Sequence, residues 1–299
     1  MNDQDTIVYL LDRYLQYTQV IRNYADSTIR GYRDTFKQFL KGTKVVYPRE
    51  MTKRVIEDWF FNGRLNRNWS PCTFWHYHKK LNKFMDWLVT EGIVPENVVT
   101  SIEKPRLESK LPRTVSKDEA QRILDVSFHF HYTYKHEKYR NRAIIACMLL
   151  AGLRRGEVIN LMFNDISLNE GTIFIRQGKG HKDRMIPVNS RLKQILSEYL
   201  KDRERLGKKC IYFFTGTQFD ERIGDRTISR LVEKIRKYTK INFSAHTLRH
   251  GFARLMLEGG CDIYTLSKIM GHNKITTTTI YLMCSNVQMS KSIEMHSLN

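Results

Sequence analysis

Apolar residues recur at three- and four-residue spacing through the first third of the chain, and this pattern predicts four helices. The first runs from about Thr6 to Thr18. A second, capped by Asp26 or Ser27, carries Ile29, Tyr32, Phe36, Phe39 and Leu40 on one face and stops at Gly42. Thr52 caps a third through Val55, Ile56, Trp59 and Phe60 to Gly63. Ser70-Pro71 places proline at the first helical position of a fourth, in which Phe74, Tyr77, Leu81, Phe84 and Leu88 follow until Gly92. Together they make a compact bundle. The Arg and Lys left on its outward faces suit a solvated surface and a surface facing a polyanion equally well.

The pattern then breaks. From Glu103 to Arg113 the chain is polar, and Pro105 and Pro112 favour extended backbone over helix. The expected layout is a domain over 1–103, a linker over 104–113 and a second domain over 114–299. That second domain opens on a capping box, Ser116 with Glu119, and a helix through Ile123 and Leu124. The run Ala143 to Leu153 reads as a buried helix, and at eleven residues between Arg142 and Arg154 it is too short to cross a bilayer. Thr172–Ile175 and Arg184–Val188 read as strands joined by a glycine-bearing turn, so a basic hairpin tip is expected at 177–183. Asn189-Ser190 caps a charged helix, Thr227–Tyr238 suggests another, and His246–Glu258 a third that closes at Gly259-Gly260. No internal repeat is present, and the fold class is mainly α with a small β-sheet.

Charge adds a partner to this picture. The 299 residues carry 50 Lys+Arg against 31 Asp+Glu, a formal net charge of +19, which calls for a polyanion. The excess is uneven: net +4 up to Glu108 and net +15 beyond it. A hydrophobic content of 41% supports a proper core and excludes disorder as the main state. Cys72, Cys147, Cys210, Cys261 and Cys284 stand singly, with no C-x-x-C pair, which fits a reducing compartment. Met1 to Asp5 is acidic and polar where a secretory signal is basic and then apolar. A cytoplasmic, nucleoid-associated protein is therefore expected.

Three stretches carry residues suited to phosphate chemistry. Ala151-Gly152-Leu153-Arg154-Arg155-Gly156-Glu157 holds a cation at the edge of the buried run, and an ion pair with Glu157 at i+3 explains it as well as catalysis does. His246 and Arg249, three apart at a helix start, share a face and can reach one phosphate. His250 reads equally well as a packed core histidine and receives no role. Met270-Gly271-His272 precedes Tyr281 by nine residues, with Thr276–Thr279 between. A tyrosine on so polar a segment is poorly explained as core. Its phenol is protonated at neutral pH and needs a base or a strongly positive site to attack phosphorus. His246, His272, Arg154 and Arg249 would supply both.

With these motifs in this order the sequence resembles the tyrosine recombinases, or phage integrases, and is similar in size and layout to the bacterial Xer-type members. The resemblance covers nearly the whole chain and implies a helical, SAM-like core-binding domain followed by a mixed α/β catalytic domain. It matches Arg154 to the first catalytic arginine and Lys179, in Gly-Lys-Gly at the hairpin tip, to the catalytic lysine. His246 and Arg249 match the His-x-x-Arg pair, His272 the Gly-His position and Tyr281 the nucleophile. Lys182 lies on the same hairpin, and an ordinary phosphate contact by either lysine is physically reasonable. The segment Phe128 to His136 is longer and richer in His and aromatics than the pattern leads one to expect. A metal site there lacks paired spacing on a defined helix, and an aromatic surface loop accounts for it better.

The resemblance implies metal-free strand exchange. No acidic cluster suggests a two-magnesium site, and neither metal nor other cofactor is expected. Tyr281 would attack a DNA phosphodiester with His246 assisting its deprotonation and Lys179 protonating the 5′-oxygen, giving a 3′-phosphotyrosyl link and later a Holliday junction. Four protomers on two double-stranded sites are implied, with a second recombinase or a DNA-bending protein as a further partner. The tail from Leu282 to Asn299 suits a short helix, packed in cis or docked on a neighbouring protomer. Strand cleavage without exchange, as in type IB topoisomerases, and silent DNA binding are the competing readings. The second would not require Lys179 or Tyr281.

Overall fold

The structure is a computed structural model and describes residues 5–108, 112–134, 136–176, 183–272 and 274–281. The chain divides into two compact units, Met1–Ser109 and Lys110–Asn299, at a point inside the proline-bearing segment between Glu103 and Arg113.

The first unit is built from α1 (Ile7–Val20), α2 (Asp26–Thr43), α3 (Lys53–Leu65) and α4 (Pro71–Thr90). Local chemistry sets three of the starts: Thr6, Thr52 and Ser70 each accept a backbone N–H three residues ahead, whereas the expected cap of α2 by Asp26 or Ser27 is not found, since α2 starts after Ala25 with no side-chain cap. Two predicted stops are overrun. α2 passes Gly42 and ends with Lys44 in the left-handed conformation, and α3 passes Gly63, whose missing side chain leaves room for the Trp69 ring. The core is aromatic, with Tyr14, Phe36 and Phe84 meeting edge to face. Lys80 is buried beside the Tyr32 ring, donating to the Gly31 carbonyl, to Thr35 Oγ1 at 3.1 Å and toward His76 Nε2 at 2.7 Å. After α4 the indole of Trp75 donates to the Pro105 carbonyl at 2.9 Å, which ties the end of this unit to its last helix.

The second unit starts with α5 (Lys117–His129), where Ser116 and Glu119 cap each other's backbone N–H. α6 (Glu137–Leu150) is its axis. Its apolar residues face all directions, Ala143 to Leu149 are buried without break, and α5, α8 (Ser190–Arg205) and α10 (Ala245–Glu258) pack on it. Each large apolar side chain so buried contributes about 1.5–3 kcal/mol. α6 begins six residues before the apolar run because Arg140 and Asn141 are satisfied inside: Arg140 pairs with Glu137 and donates to Thr215 and Thr217.

α7 (Arg155–Asn160) leads to a three-stranded antiparallel sheet of β1 (Ile166–Ser167), β2 (Thr172–Ile175) and β3 (Arg184–Pro187), in that order, with Ile173 opposite both Ile166 and Ile186. The hairpin tip with Lys179 and Lys182 lies outside the described residues. α9 (Asp225–Thr239) covers α5 and α7, and α10 is followed by α11 (Ile263–Met270) and a single turn, α12 (Thr276–Thr279). α7, α11, α12 and β1 were not anticipated from the sequence. The aromatic segment is a loop only in part: Phe128 and His129 end α5, and beyond them Tyr132 donates to the Ser127 carbonyl while Phe130 meets Tyr132 and Tyr238. No described helix is long and apolar enough to cross a membrane.

Two apolar clusters divide this unit. The main one surrounds α6. A smaller one gathers Phe252, Ala253, Leu257, Leu266 and Met270 around the ring of Tyr281.

Candidate active site

Gly152 makes the first turn of the site possible. Its φ of +62° is left-handed, and a Cβ there would lie 2.4 Å from the Phe252 ring. The chain can therefore reverse after α6 and bring Arg154 to the start of α7 in extended conformation. Glu157, one turn later, accepts the Arg154 backbone N–H at 2.8 Å and its Nη1 at 2.7 Å. The i+3 ion pair anticipated from the sequence is thus present.

It is one part of a larger cluster. Arg184, on the inward face of β3, donates through both terminal nitrogens to the two Glu157 oxygens at 2.8 Å, and through Nε to the Ile269 carbonyl at 2.9 Å. Arg249, buried on α10, donates to the carbonyls of Gly152 and Met270, with Nη1 4.0 Å from Glu157 Oε2. Arg154 Nη2 donates to the carbonyl of Gly271 at 3.0 Å. Gly271 is also left-handed, and a Cβ on it would press on Arg184. Two glycine turns and the end of α11 are therefore held by three guanidiniums around one carboxylate.

The electrostatics follow from burial and this unequal count. Burial alone would raise the Glu157 carboxyl, but the hydrogen bonds and charge of Arg184 and the backbone and charge of Arg154 overcome it and hold it at about 2. Burial, then the charge of Arg154, pulls Arg249 down to about 9, which leaves it cationic at neutral pH. Among the described residues, its three guanidiniums are ion-paired with the one carboxylate of Glu157, so positive charge is in excess there.

His272 and Tyr281 join from the far side. Arg249 Nη2 lies 3.4 Å from His272 Nε2, and His272 Nδ1 lies 2.8 Å from the hydroxyl of buried Thr278. Burial and the charges of Arg249, Arg154 and Arg184 lower His272 to about 4, so it is neutral at neutral pH. Acceptance from Arg249 at Nε2 then leaves Nδ1 as the donor to Thr278. Tyr281 is 2% exposed, so the expectation of an exposed tyrosine on a polar segment is corrected. Thr278 turns inward to His272, and the ring enters the smaller apolar cluster. Its hydroxyl lies 2.6 Å from His250 Nδ1.

Of the six residues singled out in the sequence, Arg154, Arg249, His272 and Tyr281 are gathered here through these contacts. Lys179 lies outside the described residues. His246 is exposed one turn before His250, close enough for its charge to act on that imidazole. Two further residues of the cluster have no role in the sequence reading: Arg184 is not singled out, and His250 is set aside as a packed core histidine. Arg184 was legible only as the inward partner of Ile186 in the two-residue period of β3, and His250 only as the i+4 neighbour of His246. Among the described residues no group of three or more His, Cys, Asp or Glu converges to hold a metal ion.

Residues 113–286 match the Phage integrase family. The chain is 28% identical over 295 residues to the tyrosine recombinase XerC of Thermodesulfovibrio yellowstonii, covering 96% of this chain and 95% of that protein. It is 30% identical over 206 residues to the tyrosine recombinase XerA of Pyrococcus horikoshii, covering 68% and 67%. Among solved structures, a XerH site-specific recombinase bound to its difH substrate after cleavage has the same fold, with a TM-score of 0.71 at 20% identity over 95% of this chain and 83% of that one.

Proposed function

Because the chain belongs to the phage integrase family and is a site-specific tyrosine recombinase acting on DNA, we propose that Tyr281 is its nucleophile and that Arg154, Arg249 and His272 bind and activate the scissile phosphate. The observation that carries this is the three-arginine cluster around Glu157, in contact through Arg249 with His272 and adjoining, through His250, the Tyr281 hydroxyl. A phosphodiester beside Arg249 relieves the repulsion that Arg154 and Arg184 impose on it. As phosphorus becomes five-coordinate its oxygens gain charge, and guanidiniums already fixed by backbone carbonyls stabilise that charge without reorganising. Neutral His272 completes the set as a hydrogen-bonding group.

In the proposed reaction the Tyr281 oxygen displaces the 5′-oxygen in line, leaving a 3′-phosphotyrosyl ester and a free 5′-hydroxyl. Lys179 is proposed as the acid that protonates the 5′-oxygen, and His246 as a further phosphate ligand at the mouth of the site. One ester replaces another, so a 5′-hydroxyl from a second duplex reverses the step onto a new partner. Repetition on two strand pairs passes through a Holliday junction, for which four protomers on two sites are proposed. Arg226, Arg230, Lys234 and Lys237 along the exposed face of α9, with Lys240 just past its end, supply cations for the DNA backbone.

The test begins with a duplex selected by the purified protein from a randomised pool. Nicked versions of it, incubated with EDTA present, trap a covalent protein–DNA band on a denaturing gel if the reading holds. A band of equal strength from Tyr281→Phe, or none from the wild type across all nick positions, refutes it.

A further inference from the structure

We infer that His250 is the base that takes the proton from Tyr281, a catalytic role that rests on Tyr281 being the nucleophile. A general base must lie within hydrogen-bonding reach of the proton it removes, about 2.6–3.2 Å between heavy atoms. His250 Nδ1 is 2.6 Å from the Tyr281 oxygen, and the two rings lie with centroids 5.5 Å apart. Both groups are withdrawn from water, Tyr281 almost completely and His250 by half. His246, the histidine of the His-x-x-Arg pair, is exposed on the same helix.

The charges around the imidazole favour the form that can act. Burial, then His246 and Arg249 on its own helix, push its pKa below the ordinary histidine value, and His272 faces it from the turn after α11. At neutral pH it is therefore uncharged. With the proton on Nε2, the lone pair of Nδ1 accepts the phenol hydrogen. A phosphodiester bound at Arg249 offsets the nearest of these positive charges, so the imidazole becomes more basic as the substrate arrives.

The step balances as follows. The phenol O–H bond breaks and its proton passes to Nδ1, making an imidazolium. The freed electron pair forms the bond from the Tyr281 oxygen to phosphorus. The P–O5′ bond breaks with its electrons on the 5′-oxygen, which takes a proton from the leaving-group acid. When a 5′-hydroxyl attacks the phosphotyrosine, His250 returns its proton to the departing phenolate.

The deciding variant is His250→Asn. Asparagine presents Oδ1 where histidine has Nδ1, so it can hold the phenol but cannot take its proton. On the selected nicked duplex, His250→Asn binds as the wild type does and forms the covalent band about 10²- to 10⁴-fold more slowly, the usual worth of a general base. His250→Ala is equally slow, and added imidazole accelerates it, whereas His250→Asn does not respond. Wild-type cleavage by His250→Asn, or no response of His250→Ala to imidazole, overturns the assignment. Absence of a band from the wild type would instead defeat the reading of Tyr281 itself.

Discussion

Replacing Glu157 by glutamine isolates the electrostatic worth of the arginine cluster. The carboxyl falls from an ordinary 4.5 to about 2 on folding, and its side chain is only 8% exposed. Its folded value lies below its unfolded one, so the stability it confers is fully present above about pH 4.5. It is lost as the pH falls from there toward 2. The drop corresponds to roughly 3 kcal/mol at neutral pH, of which roughly 1 kcal/mol is gone by pH 3.5. Urea unfolding of the wild type and Glu157→Gln at pH 7 and pH 3.5 measures the gap at each. Other carboxylates, such as Glu50 and Glu233, are common to both proteins and cancel. All four tryptophans, Trp59, Trp69, Trp75 and Trp87, belong to the first unit. Fluorescence therefore follows that unit as an internal reference, while far-UV ellipticity also reports the second; the two transitions must be fitted separately. A gap that is the same at both pH values refutes the argument, because it would mean that glutamine disturbs packing and not charge.

Arg154→Ala and Arg249→Ala are each expected to abolish the covalent band while leaving DNA binding largely intact in a gel-shift assay; equal loss of both would make these residues structural. Gly152→Ala combines a left-handed backbone position with a collision against Phe252, and should cost about 2–4 kcal/mol in thermal unfolding. Affinity for DNA should fall steeply with salt. Removing Arg230 and Lys237 together should flatten the slope of log K against log salt by about 2, with no change in which duplex is preferred.

The sequence made local signals legible and left distant ones hidden. Ser116 with Glu119, and Ser70 before Pro71, name their own helix starts because donor and acceptor lie within one turn. The start of α6 could not be read that way, since Arg140 is satisfied by Thr215 and Thr217, far along the chain. Arg154, Arg249, His272 and Tyr281 stood out because each sits in a motif. Arg184 and His250 did not, because what defines them is a partner: the Glu157 carboxylate across the sheet edge for one, the Tyr281 hydroxyl 31 residues away for the other. The burial of Tyr281 was missed for the same reason. Four threonines in a row read as surface, yet Thr278 is wholly enclosed and drags the next turn inward with it.

The ring of Tyr281 rests in a side pocket of Phe252, Leu266 and Met270 and not in the mass of side chains around α6. Lifting it out would forfeit one aromatic residue's burial, about 1.5–3 kcal/mol, together with its hydrogen bond to His250, and leave the side chains around α6 untouched. The proposed nucleophile thus sits in a cluster of its own, separate from the core that holds the second unit together.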